Sequence, residues 1–172
     1  MRLLRGSERV AVPWKNGGGI TREVMVCPDG AGFAAFDWRI SMAEVDEAGP
    51  FSCFDGVDRS LSVLSGRLRL GFADRYVTLA EGETLAFAGE MKVMGTPLAP
   101  VIDLNVMTRR GRYEAQVERV NGRVSVAGPV SVLVATVAQT VMGVEMEVFD
   151  ALYVEGEAEV TLSGFVVRLI EK

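Results

Sequence analysis

Residues 49–71 read GPFSCFDGVDRSLSVLSGRLRLG, a spacing of apolar and turn residues that leaves little room for helix. Gly49-Pro50 and Asp55-Gly56 mark turns around two aromatics, Phe51 and Phe54, and lead to Arg59. An apolar run over 61–64 then meets a Ser65-Gly66 turn and the alternating segment 67–70. Two extended runs about one glycine-containing turn predict a β-hairpin. Residues 76–87 supply another strand, turn and strand. The same period of two recurs elsewhere. In 36–42, Phe36, Trp38, Ile40 and Met42 fall on one face and Asp37, Arg39 and Ser41 on the other. In 101–107, Ile102, Leu104 and Val106 oppose Asp103 and Asn105. Strands are also predicted over 20–26, 130–137, 144–149, 151–154 and 157–162, and a loop over 95–100. No window carries a long helical period, so the chain is predicted to be an all-β barrel or sandwich.

The segment 152–160 echoes 62–70, with Gly156 matching Gly66. One matched pair of strands about a glycine suggests a second, degenerate half. This order of strands and glycine turns resembles the core of a cupin β-barrel. The resemblance implies an all-β bicupin: two cupin-like (RmlC-like jelly-roll) barrels packed in one compact unit. Residues 1–111 would form the N-terminal half with the ligand pocket, and 112–172 the degenerate C-terminal half. Most cupins carry a metal-binding histidine cluster before the hairpin. Here that segment offers Phe51, Ser52, Phe54 and Arg59, and the whole chain contains no histidine.

Without imidazole there is no histidine-bound transition metal, and a serine or cysteine nucleophile lacks its commonest base. No acidic cluster has calcium-loop spacing. No metal and no cofactor are therefore expected. The 172 residues are 49% hydrophobic, which suits one domain or two tightly fused small ones. A net charge of -5 disfavours a nucleic-acid surface. Cys27 and Cys53 are too few and too far apart for a disulfide framework or a CxxC pair and are read as buried free thiols. The start, MRLLRGSERV, is too interrupted by charge for a signal peptide, and no run is long enough for a membrane helix. A soluble, cytoplasmic protein with no membrane partner is expected.

Trp14-Lys15-Asn16 runs directly into Gly17-Gly18-Gly19, without the spacing of a phosphate loop. This stretch is either a flexible turn or a functional loop. Together with Phe36-Asp-Trp-Arg-Ile-Ser-Met-Ala, Gly49-Pro-Phe-Ser-Cys-Phe-Asp-Gly-Val-Asp-Arg and Asp103-Leu-Asn-Val-Met-Thr-Arg-Arg-Gly, it resembles the HutD/Ves family. The matches run in order through the first two-thirds of the chain. Asp55 stands where the family usually has proline, and Glu90 where it usually has aspartate. The resemblance implies no demonstrated enzyme activity. HutD members are associated with bacterial histidine utilisation, with binding of N-formylglutamate or urocanate proposed; Ves members are linked to stress responses.

The expected function is therefore metal-free binding of a small acidic metabolite that modulates histidine utilisation. Arg59 would hold the ligand carboxylate by charge-assisted hydrogen bonds. Asn16, Ser52 and Asn105 would be neutral partners, and Trp14, Phe51 and Phe54 apolar walls. Lys15, Arg39, Glu90 and Asp103 complete the candidate ligand-binding set, and no catalytic residue is assigned. An internal ion pair of Arg59 with Asp58 or Asp103 is the structural alternative. A Ves-like stress-response protein, a small-acid isomerase or hydrolase using Lys15, Glu90 or Asp103, and an interaction module with a vestigial pocket remain the other functional readings. A homodimer is left open.

Overall fold

A computed structural model describes all residues, 1–172. Apart from one short 3-10 turn at Gly6–Glu8, every regular element is a strand. In chain order these are β1 (Arg2–Leu4), β2 (Ala11–Pro13), β3 (Gly19–Cys27), β4 (Trp38–Val45), β5 (Gly49–Pro50), β6 (Val57–Ser65), β7 (Arg67–Gly71), β8 (Tyr76–Ala80) and β9 (Thr84–Ala88). They continue as β10 (Met94–Pro97), β11 (Val101–Arg109), β12 (Tyr113–Val126), β13 (Val130–Ala135), β14 (Gln139–Val141), β15 (Val144–Met146), β16 (Ala151–Val154) and β17 (Ala158–Glu171). The protein is all-β, and its sheets are antiparallel throughout.

Two units divide the chain: Val10–Arg112, and Met1–Arg9 together with Tyr113–Lys172. The expected N-terminal half, 1–111, therefore loses its first nine residues to the other unit. There β1 pairs with β16, and Asp150 ties the following turn. Its carboxylate accepts the amides of Gly6 and Glu147 and the Arg5 guanidinium. Burial pushes the Asp150 pKa up, but these donors outweigh it and hold the group below the ordinary carboxylate value.

The Val10–Arg112 unit has a six-stranded sheet, β2-β3-β4-β11-β6-β9, and a four-stranded sheet, β5-β10-β7-β8. Leu61, Val63 and Phe87 from the first share one core with Leu68, Leu70 and Leu79 from the second. Here the hairpin reading fails. β6 pairs with β11 and β9, whereas β7 pairs with β10 and β8, so Ser65-Gly66 carries the chain from one sheet to the other. Gly66 is required at this corner. Its φ is +88°, and a Cβ would lie 2.0 Å from the Pro100 carbonyl oxygen. β8 and β9 are likewise split between the sheets, so the turn between them is also a corner.

The other unit has a five-stranded sheet, β1-β16-β13-β17-β12, and a small β14-β15 pair. Its core gathers Val126, Leu133, Met146, Leu152, Leu162 and Val166, with Leu3 of β1 packed against it. The echo of 62–70 at 152–160 is again no hairpin, because β13 lies between β16 and β17. Two further differences concern strands that the sequence hides. Residues 95–100, read as loop, begin inside β10, and β12 spans 14 residues with no strand expected there.

Candidate functional site

The register of the six-stranded sheet decides which side chains share its inner face. Residues directly opposite one another in an antiparallel ladder point the same way. One row therefore runs Phe87 (β9), Arg59 (β6), Met107 (β11), Arg39 (β4). The next runs Leu85, Leu61, Asn105, Ser41, Glu23, and the third Val63, Asp103, Ala43, Thr21. Leu61, Val63 and Phe87 belong to the core of this unit, so Arg59, Asn105 and Asp103 face the same interior. The polar faces of 36–42 and 101–107 therefore look inward, while Ile40, Leu104 and Val106 on the reverse face are also buried.

Arg59 is only 7% exposed. Its Nε and Nη2 both donate to Asn105 Oδ1 at 3.4 Å, and Nη1 donates to the Ser52 carbonyl at 3.0 Å. Both acceptors are neutral, and no carboxylate lies within ion-pair distance. Three phenyl rings enclose the guanidinium carbon, Phe87 at 5.2 Å, Phe54 at 5.5 Å and Phe51 at 5.9 Å to the ring centroids. This desolvation lowers its pKa to about 10, with Asp103 opposing the shift. Asp58, one of the two expected internal partners, is instead paired with Arg110.

Asp103 is the other buried charge-bearing group of this face, at 2% exposure. Its Oδ1 has no hydrogen-bond partner. Burial pushes its pKa up to about 7, against the smaller pull of the Arg59 charge and the Ala43 amide. Arg39 lies in the Arg59 row, hydrogen-bonds Glu23 at 2.8 Å and Ser41 at 3.3 Å, and stacks on Phe33. Phe33 in turn packs against Phe54.

The aromatic walls are held by close backbone approach. The Phe51 ring lies over Gly95 of β10, where a Cβ would come within 2.5 Å of it. Trp14 meets Phe51 edge-on at 5.9 Å and donates its indole N–H to Thr21 Oγ1. Trp14 thus reaches the site through Phe51. Its neighbours do not. Asn16 Oδ1 accepts the Gly18 amide in the turn between β2 and β3, and Lys15 is exposed. The three glycines therefore lie in and just after a hairpin turn.

Glu90 is likewise engaged away from the guanidinium. It accepts the Gly56 amide and two bonds from Arg110. The Arg110 bonds and the Gly56 amide hold its pKa down to about 2. The arginines of 109–112 are clamps. Arg109 donates to the Phe33, Phe36 and Asp55 carbonyls, Arg110 bridges Asp58 and Glu90, and Arg112 pairs with Asp37. Together they tie down the loops that carry Phe33 and Phe54. Cys53 also departs from expectation, being exposed, and Cys27 is half-buried. Met107 and Phe87 went unrecognised as site residues because each reads as an ordinary core position; only the register places them beside Arg59.

A model of the HutD family matches residues 6–166. The chain belongs to the HutD family. It is 31% identical over 170 residues to an uncharacterised 21.2 kDa protein in the hutC 3' region of Pseudomonas putida, covering 92% of this chain and 89% of that one. It is 37% identical over 108 residues to protein Ves of Citrobacter koseri, covering 60% of this chain and 56% of that protein. The solved structure of HutD from Pseudomonas fluorescens superposes with a TM-score of 0.89 at 27% identity, over 99% of this chain and 98% of that one. No helix in this HutD-family chain is long and apolar enough to cross a membrane.

Proposed function

We propose that the protein binds a small carboxylate-bearing metabolite at Arg59, without a metal, and modulates bacterial histidine utilisation. The observation that carries this reading is the buried guanidinium with only neutral acceptors. A desolvated cation without an anion is costly, and a ligand carboxylate is the partner that would offset that cost. Asn105, the Ser52 segment and the rings of Phe51 and Phe54 supply a few polar groups set in an apolar wall, the usual make-up of a small-molecule site. The Pseudomonas putida relative, named for the hutC 3' region, supports the link to histidine utilisation; N-formylglutamate or urocanate is the acid we propose. We further infer a bicupin, each unit a cupin-like barrel of antiparallel strands.

Calorimetric titration of the protein with N-formyl-L-glutamate and with urocanate tests the reading. Saturable binding of one of them at one site per chain is expected, and no heat from either removes it. The enzyme reading keeps one observation in its favour. A carboxyl titrating near neutrality suits general acid–base work, and Asp103 meets that condition, whereas Glu90 is locked and Lys15 is exposed. Proton NMR of either acid incubated with the protein separates the two, because binding alone leaves the spectrum of the free acid unchanged over time.

A further inference from the structure

Two groups face one interior from adjacent strands: the Arg59 guanidinium, whose acceptors are all neutral, and the Asp103 carboxyl, whose Oδ1 lacks any partner. Asn105 stands between them on β11. Arg59 leans toward Asn105, and Asp103 lies two residues before it, about 7 Å away along the strand. The two groups sense each other's charge but make no ion pair. A group placed between them would meet a cation at one end and a desolvated carboxyl at the other.

We propose that Asp103 is a second ligand-binding residue of the Arg59 site, entering the complex as a neutral acid that donates its proton to a ligand oxygen, so that each bound anion brings one proton with it. This rests on the reading of Arg59 as the carboxylate-binding residue. An ionised Asp103 would have only acceptor oxygens to offer an anion and would repel it. The neutral form offers an O–H, and that O–H supplies the partner Oδ1 now lacks.

The charges around Asp103 leave it free to take this role. On the same face, β6 contributes Arg59 and β4 contributes Arg39, while β3 contributes Glu23, which is already paired with Arg39. β9 brings only Leu85 and Phe87, the facing sheet brings Leu68, Leu70 and Leu79, and the 51–54 segment adds the Cys53 thiol. A carboxyl in this setting titrates near neutrality, and a bound anion shifts it further toward the protonated form. Binding and protonation are therefore linked.

Calorimetry with N-formyl-L-glutamate and urocanate, in buffers of different ionisation enthalpy, counts the protons. Uptake should approach one proton per acid at about pH 8 and fall toward zero at about pH 5, with affinity dropping about tenfold per pH unit above neutrality. Asp103→Asn keeps a neutral side chain and should bind with no proton uptake and a nearly flat pH profile. Carbon-13 NMR of the Asp103 carboxyl in the unsubstituted protein gives a second readout that does not depend on the variant folding. It should titrate near neutrality in the free protein and stay protonated with acid bound. Binding without proton uptake, or the same uptake by Asp103→Asn, overturns the role of Asp103 and leaves Arg59 untouched. No binding of either acid at any pH removes the Arg59 reading, and this inference with it.

Discussion

Replacing Asp103 by asparagine should stabilise the protein at alkaline pH and leave it unchanged in acid. An ordinary aspartate titrates at 3.8, and burial moves Asp103 to about 7. Below the ordinary value the carboxyl is protonated in both folded and unfolded chains, and stability is unaffected. Between the two values the unfolded chain releases its proton while the folded chain retains it, so stability falls as pH rises. Above about 7 both forms are ionised and the whole penalty remains. Three or so pKa units at 1.36 kcal/mol each give a penalty of about 4 kcal/mol. Asparagine never ionises, and its amide oxygen can still accept the Ala43 N–H. Urea unfolding of both proteins should give matching stabilities at about pH 4 and a gap of about 4 kcal/mol in favour of the variant at about pH 8. A stability difference that does not change with pH, or a variant weaker than the parent at the alkaline end, would refute the assignment of a desolvated, acid-favouring Asp103.

Gly95→Ala should push the Phe51 ring off β10, destabilising the protein by about 1–3 kcal/mol and weakening acid binding; thermal melts and titration read the two effects, and an unmoved ring with unchanged affinity would contradict the contact. Asp150→Ala leaves the Gly6 and Glu147 amides without their acceptor and Arg5 with only the Glu145 carbonyl, for a loss of about 3 kcal/mol. The parent should also lose this contribution as pH falls through the depressed Asp150 value, a slope that urea titrations of the variant should lack. Glu90→Gln should speed hydrogen exchange at the Gly56 amide, and undiminished protection there would show that Glu90 is not the latch.

Much of the sheet was legible because alternation survives in single strands: Trp38, Ile40 and Met42 are buried as their period demands. Pairing was not legible. A glycine turn between two alternating runs looks the same whether the second run returns beside the first or crosses to another sheet. What distinguishes the cases at Gly66 is the Pro100 carbonyl, 34 residues away. β12 escaped notice for a different reason. Its shielded positions are 113, 115 and 117, then 120, 122, 124 and 126, so the period changes phase within one unbroken ladder. The site divides in the same way. Arg59, Asn105, Phe51 and Phe54 could be named from their motifs and do converge, whereas Asn16 and Glu90 sit in equally distinctive motifs but are held by turn and clamp geometry, and Lys15 is exposed. Motif identity marks a residue as constrained; only the register tells which of these side chains share the inner face.

The most direct test of the account is acid binding by Arg59→Met. Methionine keeps an unbranched stem among Phe51, Phe54 and Phe87 and removes the charge. Because Arg59 has no internal carboxylate partner, exchanging a buried cation for an apolar side chain of similar length should leave stability within about 1 kcal/mol of the parent. Calorimetric titration of this folded variant with N-formyl-L-glutamate and urocanate should then show no saturable binding of the acid that the parent takes up. Parental affinity in Arg59→Met would contradict the central claim, and so would a loss of about 3–5 kcal/mol, the signature of a broken internal ion pair.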